Sequence, residues 1–320
     1  MIEAGLEFSK EKKSFSSYGG DFLIASIAAI LPVLLWLGYF IYIIQSHFKS
    51  ALLAGLSSAP TSAGVLFVMM GAAGLSATWV FKKARVLAVL DDVVTILLLT
   101  FLQIFIIGFD LKSLLTIFLI ASLFFISFRW QNILQWPFTK KWLLFYAFII
   151  SVIVFFIQKT VHIHLEVLVP AFMMGCLIQL KHDNGEESIF NKGLDVTVKG
   201  LFMFLVGASF PKLAVASNAV ILTGAHVVML TLLANLGKYF LVFCYSHEAS
   251  LKERMALGIA MFPRGEVGAA VLFISIGYGL KGYENTLAMI SLVFNLILTG
   301  VFIAVVINLL KDKRTSSVQP

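Results

Sequence analysis

Apolar positions run in long unbroken stretches along this chain, and polar or charged positions gather in short clusters between them. A helix needs roughly 20 apolar residues to cross a bilayer. Runs of that order, marked off by the polar interruptions, predict ten segments at about 21–44, 51–75, 79–107, 114–126, 142–157, 165–180, 194–210, 219–244, 255–279 and 287–310. The pattern reads as an all-α polytopic membrane protein with about ten transmembrane helices. Residues 1–20 form a cytoplasmic N-terminal segment, 21–310 the transmembrane domain and 311–320 a cytoplasmic tail.

Composition strengthens this reading: 60% of the 320 residues are hydrophobic and 13% charged, where a soluble domain carries about 25% charged residues. A net charge of +7 raises nucleic acid as a partner, but the basic residues fall in loop clusters and not on one face or tail, so no nucleic acid is expected. Ten crossings place both termini on one side. Lys49, Lys112, Lys159, Lys212 and Lys281 fall on the other side, Lys238 and Arg264 fall within apolar runs, and the remaining 17 of the 24 basic residues share the side of the termini. Positive charge marks the cytoplasmic side. Residues 1–20 lack a long apolar stretch ending in small residues, which argues against a cleavable signal peptide. Cys176 and Cys244 sit in apolar runs without a partner at metal or redox spacing and read as small core residues.

Once charges near the span ends are assigned to the loops, five remain inside the predicted spans: Asp91, Asp92, Lys238, Arg264 and Glu266. A charge at mid-membrane costs on the order of 3 kcal/mol or more, so such residues face a cavity, pair with each other and serve transport. Asp91 and Asp92 are adjacent, so they point about 100° apart around a helix. One can meet a counter-charge while the other faces a water-filled pocket. Carboxylates held close resist simultaneous ionisation, and a hard monovalent cation seeks the same oxygens as a proton. Competition for one carboxylate is a sufficient physical basis for exchange. The alternative is that the pair lies near the interface and favours a helix start, since Arg85 precedes it closely. Lys238 is eight residues from Ser246, about 12 Å of helix rise, farther than a lysine stem reaches by snorkelling. Pairing with an acid is the stronger reading.

Two runs are interrupted. Gly55 to Gly64 breaks the second with Pro60, Thr61 and Ser62, and Pro263-Arg264-Gly265-Glu266 breaks the ninth. Read as an ordinary loop, the second interruption would leave a piece too short to span, so a broken helix fits better. Paired interruptions of this kind point to an inverted-repeat transporter, because unwound backbone at the midplane supplies carbonyls, amides and helix ends to an ion site. If the first three segments correspond to the last three, the acid pair and Lys238 flank the two breaks. His162, His164 and Glu166 cluster in an outside loop and read as a solvated turn, not a metal site. His226 stands alone in its run and reads as core or cavity-lining. The sequence contains no P-loop, HExxH or GxSxG motif, and no cofactor, enzyme activity or metal beyond a transported cation is expected.

In chain order, Gly5-Leu6-Glu7, Pro60-Thr61-Ser62-Ala63-Gly64-Val65, Leu90-Asp91-Asp92-Val93, Phe204-Leu205-Val206-Gly207, Leu236-Gly237-Lys238 and Met261-Phe262-Pro263-Arg264-Gly265-Glu266-Val267 resemble the monovalent cation:proton antiporters, in particular bacterial sodium/proton and potassium/proton exchangers with an Asp-Asp motif. The resemblance implies a core domain, about 21–108 and 219–310, that moves against panel helices, about 112–213, by alternating access. It implies that Asp92 is the main cation and proton carboxylate, that Asp91 pairs with Lys238, that Thr61 and Ser62 lie at the first break, and that Arg264 and Glu266 stabilise the second break or a gate. It further implies electrogenic exchange of sodium or potassium for protons, a bacterial inner-membrane location, and a homodimer for the full-length form. About three helices precede Gly-Leu-Glu in the family, so the first repeat is expected to be incomplete, through a late start codon, a split gene or a decayed gene. Two alternatives stay open: a potassium efflux system, and a non-transporting or incomplete membrane subunit.

Overall fold

The computed structural model describes residues 19–107, 143–161, 168–177 and 220–316, with a few isolated positions between 118 and 208. The fourth and most of the seventh apolar runs, residues 1–18 with Gly5-Leu6-Glu7, and the cluster of His162, His164 and Glu166 lie outside the described residues. Every regular element among the described residues is a helix. In chain order these are α1 (Gly19–Tyr42), α2 (Phe48–Leu56), α3 (Ala63–Ala72), α4 (Trp79–Ile107), α5 (Leu143–Val161), α6 (Leu168–Leu177), α7 (Val220–Tyr239) with a 3-10 turn at Phe240–Phe243, α8 (Leu251–Ala260), α9 (Glu266–Gly277) and α10 (Tyr283–Ser316).

Among the described residues, three stretches are long and apolar enough to cross a membrane: α1, α7 with its 3-10 extension, and α10 up to Lys311. Their outward positions are apolar, for example Leu34 on α1, Ile221 and Leu232 on α7, and Ile297 and Val301 on α10. Exposed large side chains repeated along several helices suit a hydrocarbon solvent and not water. This is the architecture of a polytopic membrane protein. The run predicted at 287–310 extends as α10 in both directions, because a helix that has left the apolar layer needs no further apolar residues to continue.

The described residues fall into two compact units, one within 17–95 and 202–320, the other within 96–201. In the second unit α5 contacts α6, with Val154, Phe172 and Met173 buried. The first unit is built around α1, which packs on α7 and α2, while α10 packs on α7 and α8. Both interrupted runs are helix pairs: α2 and α3 are separated by Ser57–Ser62, α8 and α9 by Met261–Gly265. Pro60 and Pro263 each lack the N–H that would continue a helix. The start of α8 is set locally by a capping box, in which Glu253 N donates to Ser250 Oγ and Ser250 N to Glu253 Oε2.

Lys82, Lys83 and Arg85 lie in the first two turns of α4, whose bounds coincide with the run expected at 79–107. Lys83 is tied down there: its Nζ is 3.0 Å from Asp21 Oδ1 and 3.2 Å from Glu248 Oε2, and it sits 4.2 Å from the centre of the Tyr245 ring. Tyr245 OH donates to Asp21 Oδ1 at 2.6 Å. Burial, and then that hydrogen bond, push the phenol well above its ordinary pKa. Cys244, expected in the core, is half-buried at the end of the 3-10 turn, where the helix has already unwound toward the polar loop.

The contact of α1 with α7 is close. Trp36 Nε1 donates to Leu230 O at 2.8 Å, and a Cβ placed on Gly237 would lie 2.6 Å from Pro32 N and 2.8 Å from its Cδ. Gly237→Ala therefore has to push the helices apart, an overpacking cost of about 1–3 kcal/mol. The thermal midpoint of the detergent-solubilised protein should fall for Gly237→Ala. It should stay put for Gly224→Ala, whose Cβ meets nothing within 4 Å.

Candidate functional site

The two helix breaks meet. Ser62 N donates to Pro263 O at 2.8 Å, Thr61 Oγ1 lies 3.2 Å from Met261 O, and Gly265 packs so closely on Ser62 that a Cβ there would come within 2.8 Å of the hydroxyl. Each break thus supplies acceptors and donors to the other, which resolves the problem that unwound backbone poses in an apolar bundle. A buried polar centre is assembled around this contact from α4, α7, α9 and α10.

Asp91 and Asp92 lie in the middle of α4 and so do not mark its start. Both are buried, but their surroundings differ. Asp91 receives Lys238 Nζ on both oxygens, at 2.7 and 2.6 Å, and Thr61 contributes its backbone N–H and its hydroxyl to Oδ2, each at 2.9 Å. Lys238 is fully buried, so it does not snorkel. Asp92, 2% exposed, has no hydrogen-bond partner for Oδ1 among the described residues. It lies in the field of Asp91 and Glu266, which share its charge, and of Lys238, which opposes it. One carboxylate is saturated with donors. Its neighbour keeps free lone pairs, which can take a proton or ligate a hard cation.

Glu266 opens α9, where a carboxylate suits the positive end of the helix, and its Oε2 accepts from Ser62 Oγ at 2.7 Å. Arg264 is buried without a carboxylate in contact among the described residues. Its Nε donates to Ser58 O, Nη1 to Asn235 Oδ1 and Phe262 O, and Nη2 to Ala234 O, at 2.8 to 3.0 Å. Its backbone N–H goes to Asn295 Oδ1 at 3.0 Å, and Asn295 Nδ2 donates to Asn235 Oδ1 at 3.0 Å. An arginine has donors only, so this network also fixes which way both amides face.

Thr61, Ser62, Asp91, Asp92, Lys238, Arg264 and Glu266 thus all belong to one centre, within one compact unit. Asn235 and Asn295 were overlooked in the sequence. Their signal was present: amides in apolar runs turn toward the bundle interior, and Asn235 stands one turn before Lys238. His226, which looked isolated, bonds through Nδ1 to Tyr39 OH at 2.7 Å, away from this centre on the opposite end of α7.

Removing Lys238 should expose the cost of the pair. Lys238→Met leaves Asp91 buried and uncompensated, a loss of about 3–5 kcal/mol. Thermal unfolding in detergent should show a marked drop for Lys238→Met and substantial recovery in Asp91→Asn/Lys238→Met, where no charge is stranded.

Residues 1–309 match a family model described as sodium/hydrogen exchanger, transmembrane. No curated protein matches the chain.

Proposed function

Because the chain belongs to the sodium/hydrogen exchanger family, we propose that it is a secondary active transporter in which a monovalent cation, sodium or potassium, and a proton compete for Asp92. The observation that carries this reading is the asymmetry of the acid pair: Asp91 is held by Lys238 and Thr61, whereas Asp92 is buried with an unpartnered oxygen. A carboxylate already bound by four donor contacts has little to offer a cation. One with free lone pairs in a dry bundle gains from any positive charge that reaches it.

In this mechanism Asp91 and Lys238 form a neutral pair that anchors α4 to α7, and the broken helices provide polar backbone without a continuous helix to obstruct the ion. When Asp92 is ionised and open to one side, it takes a cation or a proton. Either neutralises it and lowers the cost of carrying the charge through the apolar layer. Alternating access to the two sides then couples the downhill flow of one ion to the uphill flow of the other. The distribution of basic residues supports an inner-membrane orientation with both termini in the cytoplasm.

Proteoliposomes holding an imposed pH gradient test the reading. Sodium, potassium or lithium, added in turn, should collapse the gradient for at least one ion, and Asp92→Asn should abolish the collapse while inserting normally. Cation-dependent collapse that survives Asp92→Asn would remove Asp92 from the mechanism. No collapse with any ion, with insertion verified, would favour a subunit that does not transport by itself.

A further inference from the structure

Arg264 is unusual among the buried charges of the centre. Lys238 is matched by Asp91 at contact distance, but Arg264, equally buried, meets neutral oxygens among the described residues, three from the backbone and one from Asn235. Neutral acceptors satisfy the hydrogen bonds of a guanidinium without supplying a compensating unit charge, so Arg264 still acts as a cation on its neighbours. Those neighbours are Lys238, on which it bears as a like charge, and Asp91, on which it bears as an opposite one. Around them the centre holds three carboxyl groups, Asp91, Asp92 and Glu266, against two cations, Lys238 and Arg264. With all three carboxyl groups ionised, one negative charge is in excess, as much as a single monovalent cation can neutralise.

We infer that Asn235 is a positioning residue that sets how tightly the centre holds its cation, by seating Arg264 on a neutral oxygen where a carboxylate would cancel it. The position is structurally suited to the task. Asn235 Oδ1 accepts from Arg264 Nη1 at 2.8 Å and from Asn295 Nδ2 at 3.0 Å, and it lies on α7 one turn before Lys238. An aspartate there has the same shape and keeps an acceptor for both donors, but it pairs with Arg264 and leaves the centre with two negative charges in excess. A transporter that binds its ion too well releases it too slowly. A neutral amide at 235 keeps the excess at one.

This inference rests on the exchange reading, and the test separates the two. In proteoliposomes at fixed pH, the initial rate of cation-dependent gradient collapse is measured against cation concentration for the unmodified chain and for Asn235→Asp. The half-saturating cation concentration should fall on the order of tenfold in Asn235→Asp, as one added unit charge in a medium of intermediate dielectric implies, while the maximal rate does not rise. A purely structural amide would lower the amount of active protein and the maximal rate but leave half-saturation unchanged, and that result overturns the inference. If Asn235→Asp does not insert, Arg264→Gln removes the same positive charge by another route, and its half-saturating concentration should also fall; an unchanged value overturns the inference equally. No exchange by the unmodified chain would count against the exchange reading itself.

Discussion

The contact between Lys238 and Asp91 is the interaction on which the arrangement of the first unit depends. Two charges fully removed from water are tolerable only when each meets the other and the leftover lone pairs find donors. Lys238 Nζ bridges both oxygens of Asp91, and Thr61 supplies the remaining donors from the first helix break. Satisfying that one carboxylate therefore draws α4, α7 and the unwound segment together. Once the break is drawn in, the second break follows, because Ser62 N donates to the carbonyl freed at Pro263. Arg264 then takes up acceptors from Ser58, Phe262 and α7.

This ordering explains why adjacent aspartates have different chemistry. The helix turns about 100° per residue, so a geometry that brings Asp91 against Lys238 turns Asp92 away from it. The difference between a structural carboxylate and a free one is thus written into a single step along α4. The same economy operates elsewhere in the unit. Gly237 admits Pro32 where any side chain would not fit, and Lys83 gathers Asp21 from α1 and Tyr245 and Glu248 from the loop before α8.

Much of the fold and most of the centre were legible because they depend on local pattern. The span of α4 follows from its apolar run, with Asp91 and Asp92 visible as exceptions to it, and the two breaks announce themselves through Pro60 and Pro263. The partnerships were harder to read. Tyr245 and Asp21 are separated by 224 residues and Arg264 and Ser58 by 206, and no periodicity in a single segment specifies which distant oxygen a donor will find. Asn235 and Asn295 went unnoticed for a related reason: a neutral amide costs less to bury than a charge, so it stands out less among apolar neighbours although it decides the setting of Arg264.

The central claim is that cation and proton compete for the carboxylate of Asp92, whose Oδ1 is unpartnered among the described residues. Proton release on cation binding measures this directly: purified protein in detergent, in weakly buffered solution with a pH-sensitive dye, is titrated with sodium, potassium and lithium. The account predicts that a bound cation displaces protons from the unmodified protein and that Asp92→Asn releases none. Cation binding without proton release, or undiminished release from Asp92→Asn, would contradict it.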